Sequence, residues 1–153
     1  MDPTGDEAPA FRSVALRDLP LPDYVDLIAV PRPPGSTPDP ATWARTIFGR
    51  ETMPGVVKGL FGVRQALAPL IGVPTDPDDP FAVREVVGEE ALLSYDDRHL
   101  DFRCGIGVGD DLVRVTTAVR LHGWRGRVYF GVVRPAHPLV VTAMLRRAAT
   151  MLS

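Results

Sequence analysis

The chain has little cysteine, little lysine, little histidine and no long apolar run. A single cysteine, Cys104, excludes an intramolecular disulfide and any zinc site built on several thiolates. No stretch approaches the ~20 apolar residues that a membrane-spanning helix needs; the best one, 138–152, is broken by Arg146 and Arg147. The opening MDPTGDEAPAF is acidic and lacks an apolar centre, so it does not read as a secretory signal. Charge of one sign is missing too. A formal net charge of -2 supplies no global pull toward nucleic acid or anionic lipid, and neither is expected as a partner. Lys58 is the only lysine, a bias that speaks of codon usage more than of function. These absences leave a soluble, cytoplasmic chain as the expectation.

What is present is globular. Hydrophobic residues at 45% and charged ones at 24% separate this chain from disordered sequences, and its 153 residues suit one domain. Residues 1–22, rich in Pro, Asp and Gly, predict a flexible N-terminal arm in which FRSVAL (11–16) has the option of a short strand. Residues 23–153 form the domain. YVDLIAV (24–30) reads as a first strand, stopped by PRPPGSTPDP, which cannot continue a ladder. Asp39 before Pro40 is a helix start, with a capping oxygen and proline at the first helical position. A second helix is predicted from near Pro54, because Val57, Leu60, Phe61, Leu67 and Ile71 recur at helical spacing. After PTDPDDP (74–80) the period changes from 3.6 to 2.

From Phe81 to Arg134 the pattern predicts a meander, with strands near 81–87, 91–96, 99–108, 112–122 and 126–134. A last helix starts near Pro138 and carries Val141, Met144, Leu145, Ala148 and Leu152 on one face. The class is therefore α+β: an antiparallel sheet of six to seven strands packed on a long C-terminal helix, with two helices inserted after the first strand.

The segment CGIGVGDD (104–111) has glycines at alternate positions. A dinucleotide fingerprint needs G-x-G-x-x-G opening a helix, and a phosphate loop needs G-K-[ST]; both are absent. No cofactor is expected. In a strand, Leu100, Phe102, Cys104, Ile106 and Val108 share one face and Gly105, Gly107 and Gly109 the other. Glycines at that spacing relieve crowding and let the sheet curl.

The polar residues form no strong catalytic cluster. His99, Asp101 and Arg103 share a strand face, with His122 the one histidine near a neighbouring strand, but ordinary cross-strand pairing with Arg114 and Arg120 outweighs a metal site. Cys104 faces the apolar side, where a small buried thiol is the default. Thr117 is the one polar residue among inward valines. Arg64 interrupts an apolar helix stripe, either snorkelling at its edge or pairing with a ligand carboxylate. His137 stands just before the last helix as an expected N-cap, where a helix N-terminus favours the neutral imidazole that suits proton transfer.

WARTIFG (43–49), GLFGVRQAL (59–67), DDRHLDFR (96–103), GRVYFGVVRPAHPLVV (126–141) and MLRRA (144–148) together resemble an uncharacterised bacterial family, domain-of-unknown-function family 2867, over about residues 23–152. The resemblance implies the helix-grip fold of the birch-pollen-allergen and START-like superfamily, in which a curved sheet wraps a C-terminal helix around a hydrophobic cavity. Two departures stand out: five predicted strands follow the helix pair where the pattern has six, and Ala136 replaces an aromatic. Arg64, His99, Asp101, Arg103, Arg127, Tyr129 and His137 match, but the family offers no catalytic residues to carry over.

Three functions follow as expectations. The first is a protein that binds a small apolar or aromatic ligand between sheet and last helix. Its candidate contacts are Arg64, Phe102, Cys104 and Thr117 before the final turn, and Phe130, His137 and Met144 after it. The second is an enzyme of the polyketide cyclase or dehydratase type, with His137, Arg64 or Tyr129 as its acid or base. The third is a homodimeric interaction module that uses Tyr129 beside the bare glycines.

Overall fold

The computed structural model describes residues 12–49, 51–52, 55 and 81–153. Its elements are α1 (Val14–Asp18), β1 (Tyr24–Pro31), α2 (Pro40–Ile47), β2 (Val83–Val87), β3 (Glu90–Asp96), β4 (Leu100–Val108), β5 (Leu112–Leu121), α3 (Gly123–Val133) and α4 (His137–Leu152). The five strands form one curved antiparallel sheet in the order β1-β5-β4-β3-β2. Strand β1 thus pairs with the last strand, and the chain crosses to the opposite edge before the β2–β5 meander begins. The class is α+β.

Local chemistry sets the boundaries. Asp39 accepts from the Ala41 and Thr42 amides and starts α2 at Pro40, as its sequence predicts. Pro31 ends β1, and the Arg32 side chain then bonds to Ser36 and to the Gly109 carbonyl, which ties the proline-rich turn to the sheet.

Register confirms the alternation. Asp26 lies opposite Thr117, Thr117 opposite Cys104, and Cys104 opposite Leu93, so one face runs through β1, β5, β4 and β3. On this inward face Val30, Leu93, Cys104, Ile106, Val113 and Val115 pack against Trp43, Ala44 and Ile47 of α2 and Val141, Met144, Leu145 and Ala148 of α4. Burying each large side chain here stabilises the fold by about 1.5–3 kcal/mol. Trp43 is the largest of those fully buried, and its indole N–H donates to the Thr37 carbonyl at 2.8 Å.

The outer face carries the glycines, and their role is close approach. A Cβ on Gly105 would stand 2.0 Å from Glu90 Oε1 and 2.8 Å from Ser13 Oγ; one on Gly107 would stand 2.7 Å from an Arg114 guanidinium nitrogen. Helix α1 lies over this bare patch. Ser13 bonds to Glu90, and Ala15 and Leu19 bury against Ala118.

Several expectations change. Residues 126–133 belong to helix α3, with Arg134 as its C-cap, and not to a strand. Both neighbours of β5 are already taken by β4 and β1, so the following segment has no place beside it. Gly123 turns the chain off the sheet with φ 68°, and the His122 amide donates to the His99 carbonyl at 2.7 Å. The described residues therefore contain five strands rather than six to seven. FRSVAL contributes to helix α1 rather than a strand, so the segment expected as an arm holds a packed helix from Val14. Tyr129 rides on α3 and not beside the glycines. The predicted helix from Pro54, with Arg64, lies outside the described residues.

Candidate functional site

Helix α4 begins against the edge strand β1, and there the inward face becomes polar. Alternation places Tyr24 and Asp26 on the same face as Ile28 and Val30. Across from them, His137 opens α4. Its Nδ1 lies 2.7 Å from Asp26 Oδ2, and the Tyr24 hydroxyl donates to the same oxygen at 2.6 Å. The Asp26 and His137 side chains are only 13% and 19% exposed, which makes this a partly desolvated charge cluster rather than a surface pair. An ionised carboxylate accepts only, so Nδ1 carries the proton, and a neutral His137 presents its lone pair at Nε2.

The walls are aromatic. Phe130 of α3 meets the Tyr24 ring edge-on at 5.0 Å, the His137 ring stands perpendicular to it at 6.0 Å, and the Arg134 guanidinium lies 5.5 Å over the same ring. Such contacts hold the phenol in place and add about 0.5–1.5 kcal/mol each.

Electrostatics follow from this packing. Burial is the largest single influence on Asp26 and pushes its carboxyl up. The hydrogen bonds from His137 and Tyr24 and the imidazole's charge outweigh it, and hold the group below the usual carboxylate range. Thr117 adds a weaker pull without closing a hydrogen bond of normal geometry to Oδ1. That buried oxygen has no hydrogen-bond partner among the described residues. Burial first, and the neighbouring carboxylate second, push the Tyr24 phenol up to about 12. At neutral pH Asp26 is therefore a carboxylate and Tyr24 a phenol that donates to it.

Four of the expected ligand contacts gather here. Thr117 faces Asp26, Cys104 faces Thr117, Phe130 packs on Tyr24, and His137 bonds to Asp26. His137 is not the N-cap: Ala136 holds that position without a side-chain bond, and His137 spends its Nδ1 on the strand instead. Cys104 is 1% exposed, and burial pushes its thiol far above the ordinary range, so it is packing and not a nucleophile. Phe102 is partly buried at the core margin, and Met144 lies within the core between α4 and the sheet. Arg64 lies outside the described residues.

Tyr24 and Asp26 were missed. The signal was present in YVDLIAV: an acid at an inward position of an otherwise apolar strand, two residues from a tyrosine.

A second imidazole–carboxylate pair joins His122 Nε2 to Asp101 Oδ2 at 2.9 Å on the more exposed rim. Asp101 also faces Arg120 in the β4–β5 register, and Arg103 pairs with Asp96, as expected for cross-strand charges. Among the described residues no group of three His, Cys, Asp or Glu side chains is arranged to hold a metal.

One family model spans the curved sheet and the first half of α4. Residues 19–144 match the family described as "Protein of unknown function (DUF2867)", and the chain belongs to that family. No curated protein and no solved structure matches the chain.

Proposed function

We propose that the protein binds a small apolar or aromatic molecule bearing a hydrogen-bond donor, at the end of the inward face where Tyr24, Asp26 and His137 meet. The observation that carries this reading is the second oxygen of Asp26. A buried carboxylate oxygen without a donor costs free energy, about 1–3 kcal/mol or more for a charged group, and a ligand N–H or O–H removes that cost. Phe102 and Phe130 serve as apolar walls for the rest of the molecule. The helix-grip resemblance of the sequence motifs supports the same location, since that fold places its ligand between a curved sheet and the last helix.

A second reading makes the site catalytic, of the cyclase or dehydratase type. The Asp26–His137 pair favours it: a carboxylate that fixes the imidazole's tautomer leaves Nε2 as a positioned proton acceptor.

A thermal-shift screen of phenols, amides and hydroxylated aromatics against the wild type and Asp26→Asn separates these ideas from a purely structural role. At least one compound is expected to raise the wild-type midpoint and to lose most of that effect in the variant. Equal shifts in both proteins would remove Asp26 from the site. Turnover of a hit, lost in His137→Gln with binding retained, would establish the catalytic reading.

A further inference from the structure

Residues 112–153 contain seven arginines and no Asp or Glu, so all 19 acids precede them. The near-neutral net charge, which argued against an anionic partner, conceals this segregation. Helices α3 and α4 both fall within the acid-free segment, and α3 contributes only Gly126 and Phe130 to the buried interior. Its outward side is apolar. Trp124, Val128 and Val132, spaced by four, are 70%, 60% and 77% exposed, and Leu139 at the start of α4 is 74% exposed. Helical spacing puts Arg125 on one flank of this stripe and Arg127 on the other.

We propose that this face docks α3 flat onto an anionic lipid surface. An exposed apolar stripe with a tryptophan at one end and arginines along both flanks fits the boundary between headgroups and acyl chains. The charge decides the occupant: Arg125 and Arg127 border the stripe and neither α3 nor α4 carries a carboxylate, which matches a negative surface, and the protruding valines and leucine match acyl chains rather than nucleic-acid phosphates. Trp124 and Arg125 also line a groove of about 220 Å³ with Arg98, His99 and His122, which places the Arg98 and Arg125 guanidinium groups where a lipid phosphate would lie. Among the described residues no single helix is long and apolar enough to cross a membrane, and the buried face of α4 belongs to the core, so the contact is superficial.

The test is flotation of the full chain with vesicles of phosphatidylglycerol and phosphatidylcholine, against vesicles of phosphatidylcholine alone. The protein is expected to float with the first and not the second, and to be released by high salt. Trp124 emission should shift to the blue on binding; Trp43 is fully buried, so the shift reports on α3. Arg125→Glu and Val128→Glu, both at exposed positions, should each lower partitioning about tenfold while the circular dichroism spectrum is unchanged. Three outcomes overturn the proposal: equal partitioning on both vesicles, no partitioning on either, or binding indifferent to both variants. Light scattering that shows a concentration-dependent dimer weakened by Val128→Glu, without vesicle binding, would assign the face to a second copy of the chain.

Discussion

Replacing Asp26 by Asn removes one charge and leaves the shape of the cluster intact. In the wild type, Oδ2 accepts from the Tyr24 hydroxyl at 2.6 Å and from His137 Nδ1 at 2.7 Å. Hydrogen bonds to a charged group contribute about 1.5–3 kcal/mol each, against about 1 kcal/mol for neutral ones. Two such bonds are weakened in the variant. Part of the loss is offset, because the buried carboxylate no longer has to be desolvated. The net expectation is a loss of about 1–3 kcal/mol at neutral pH, read by urea unfolding. The pH dependence is the sharper readout. Asp26 is held below the usual carboxylate range, so its contribution is complete above that range and disappears as pH falls through the folded-state value. The stability curves of wild type and Asp26→Asn should therefore separate at neutral pH and converge in acid. A variant as stable as the wild type at pH 7, with a parallel acid limb, would refute the reasoning.

Among the tyrosines, Tyr24 should ionise late: its phenol is pushed up to about 12, and an alkaline absorbance titration should lose that late component in Tyr24→Phe. The sign is that of a raised group, so the stability it confers is intact below pH ~10 and fades between there and about 12. Two glycines of α3 should respond oppositely to alanine. At Gly126 a Cβ would lie 2.2 Å from the His99 carbonyl oxygen, a backbone atom that cannot step aside, and a loss of about 1–3 kcal/mol is expected by chemical denaturation. At Gly131 nothing lies within 4 Å, and alanine should stabilise the helix by about 0.5–1 kcal/mol. Cys104 should resist thiol reagents in the folded state and react on unfolding; rapid native labelling would contradict its burial at 1% exposure.

The parts of the fold that were legible in the sequence are those governed by a period. Alternation placed Cys104 and Thr117 inward and the glycines outward, and the register bears this out residue by residue. The Asp39–Pro40 signal started α2 where the chain starts it. What failed was the reading of GRVYFGVVR. Its valines and aromatics favour a strand by composition, but strand pairing is a non-local matter, and the pairing of β1 beside β5 removed the edge that such a strand needed. Helix α1 was equally hard to see, because its five residues are fixed by an outer-face patch that glycines about 90 residues away leave bare. Of the candidate site, His137 was visible as a residue but not as a partner. Its role comes from Asp26, 111 residues earlier, through a contact that only the meeting of α4 with β1 creates.

The central claim is that the Tyr24–Asp26–His137 cluster holds a small molecule, and native mass spectrometry of the purified chain tests it most directly. The account predicts a reproducible extra mass on the wild type that vanishes on denaturation and is lost or much reduced in Asp26→Asn. A bound mass retained unchanged in Asp26→Asn, or a bare wild-type chain that takes up no compound from a donor-bearing aromatic library, would contradict it.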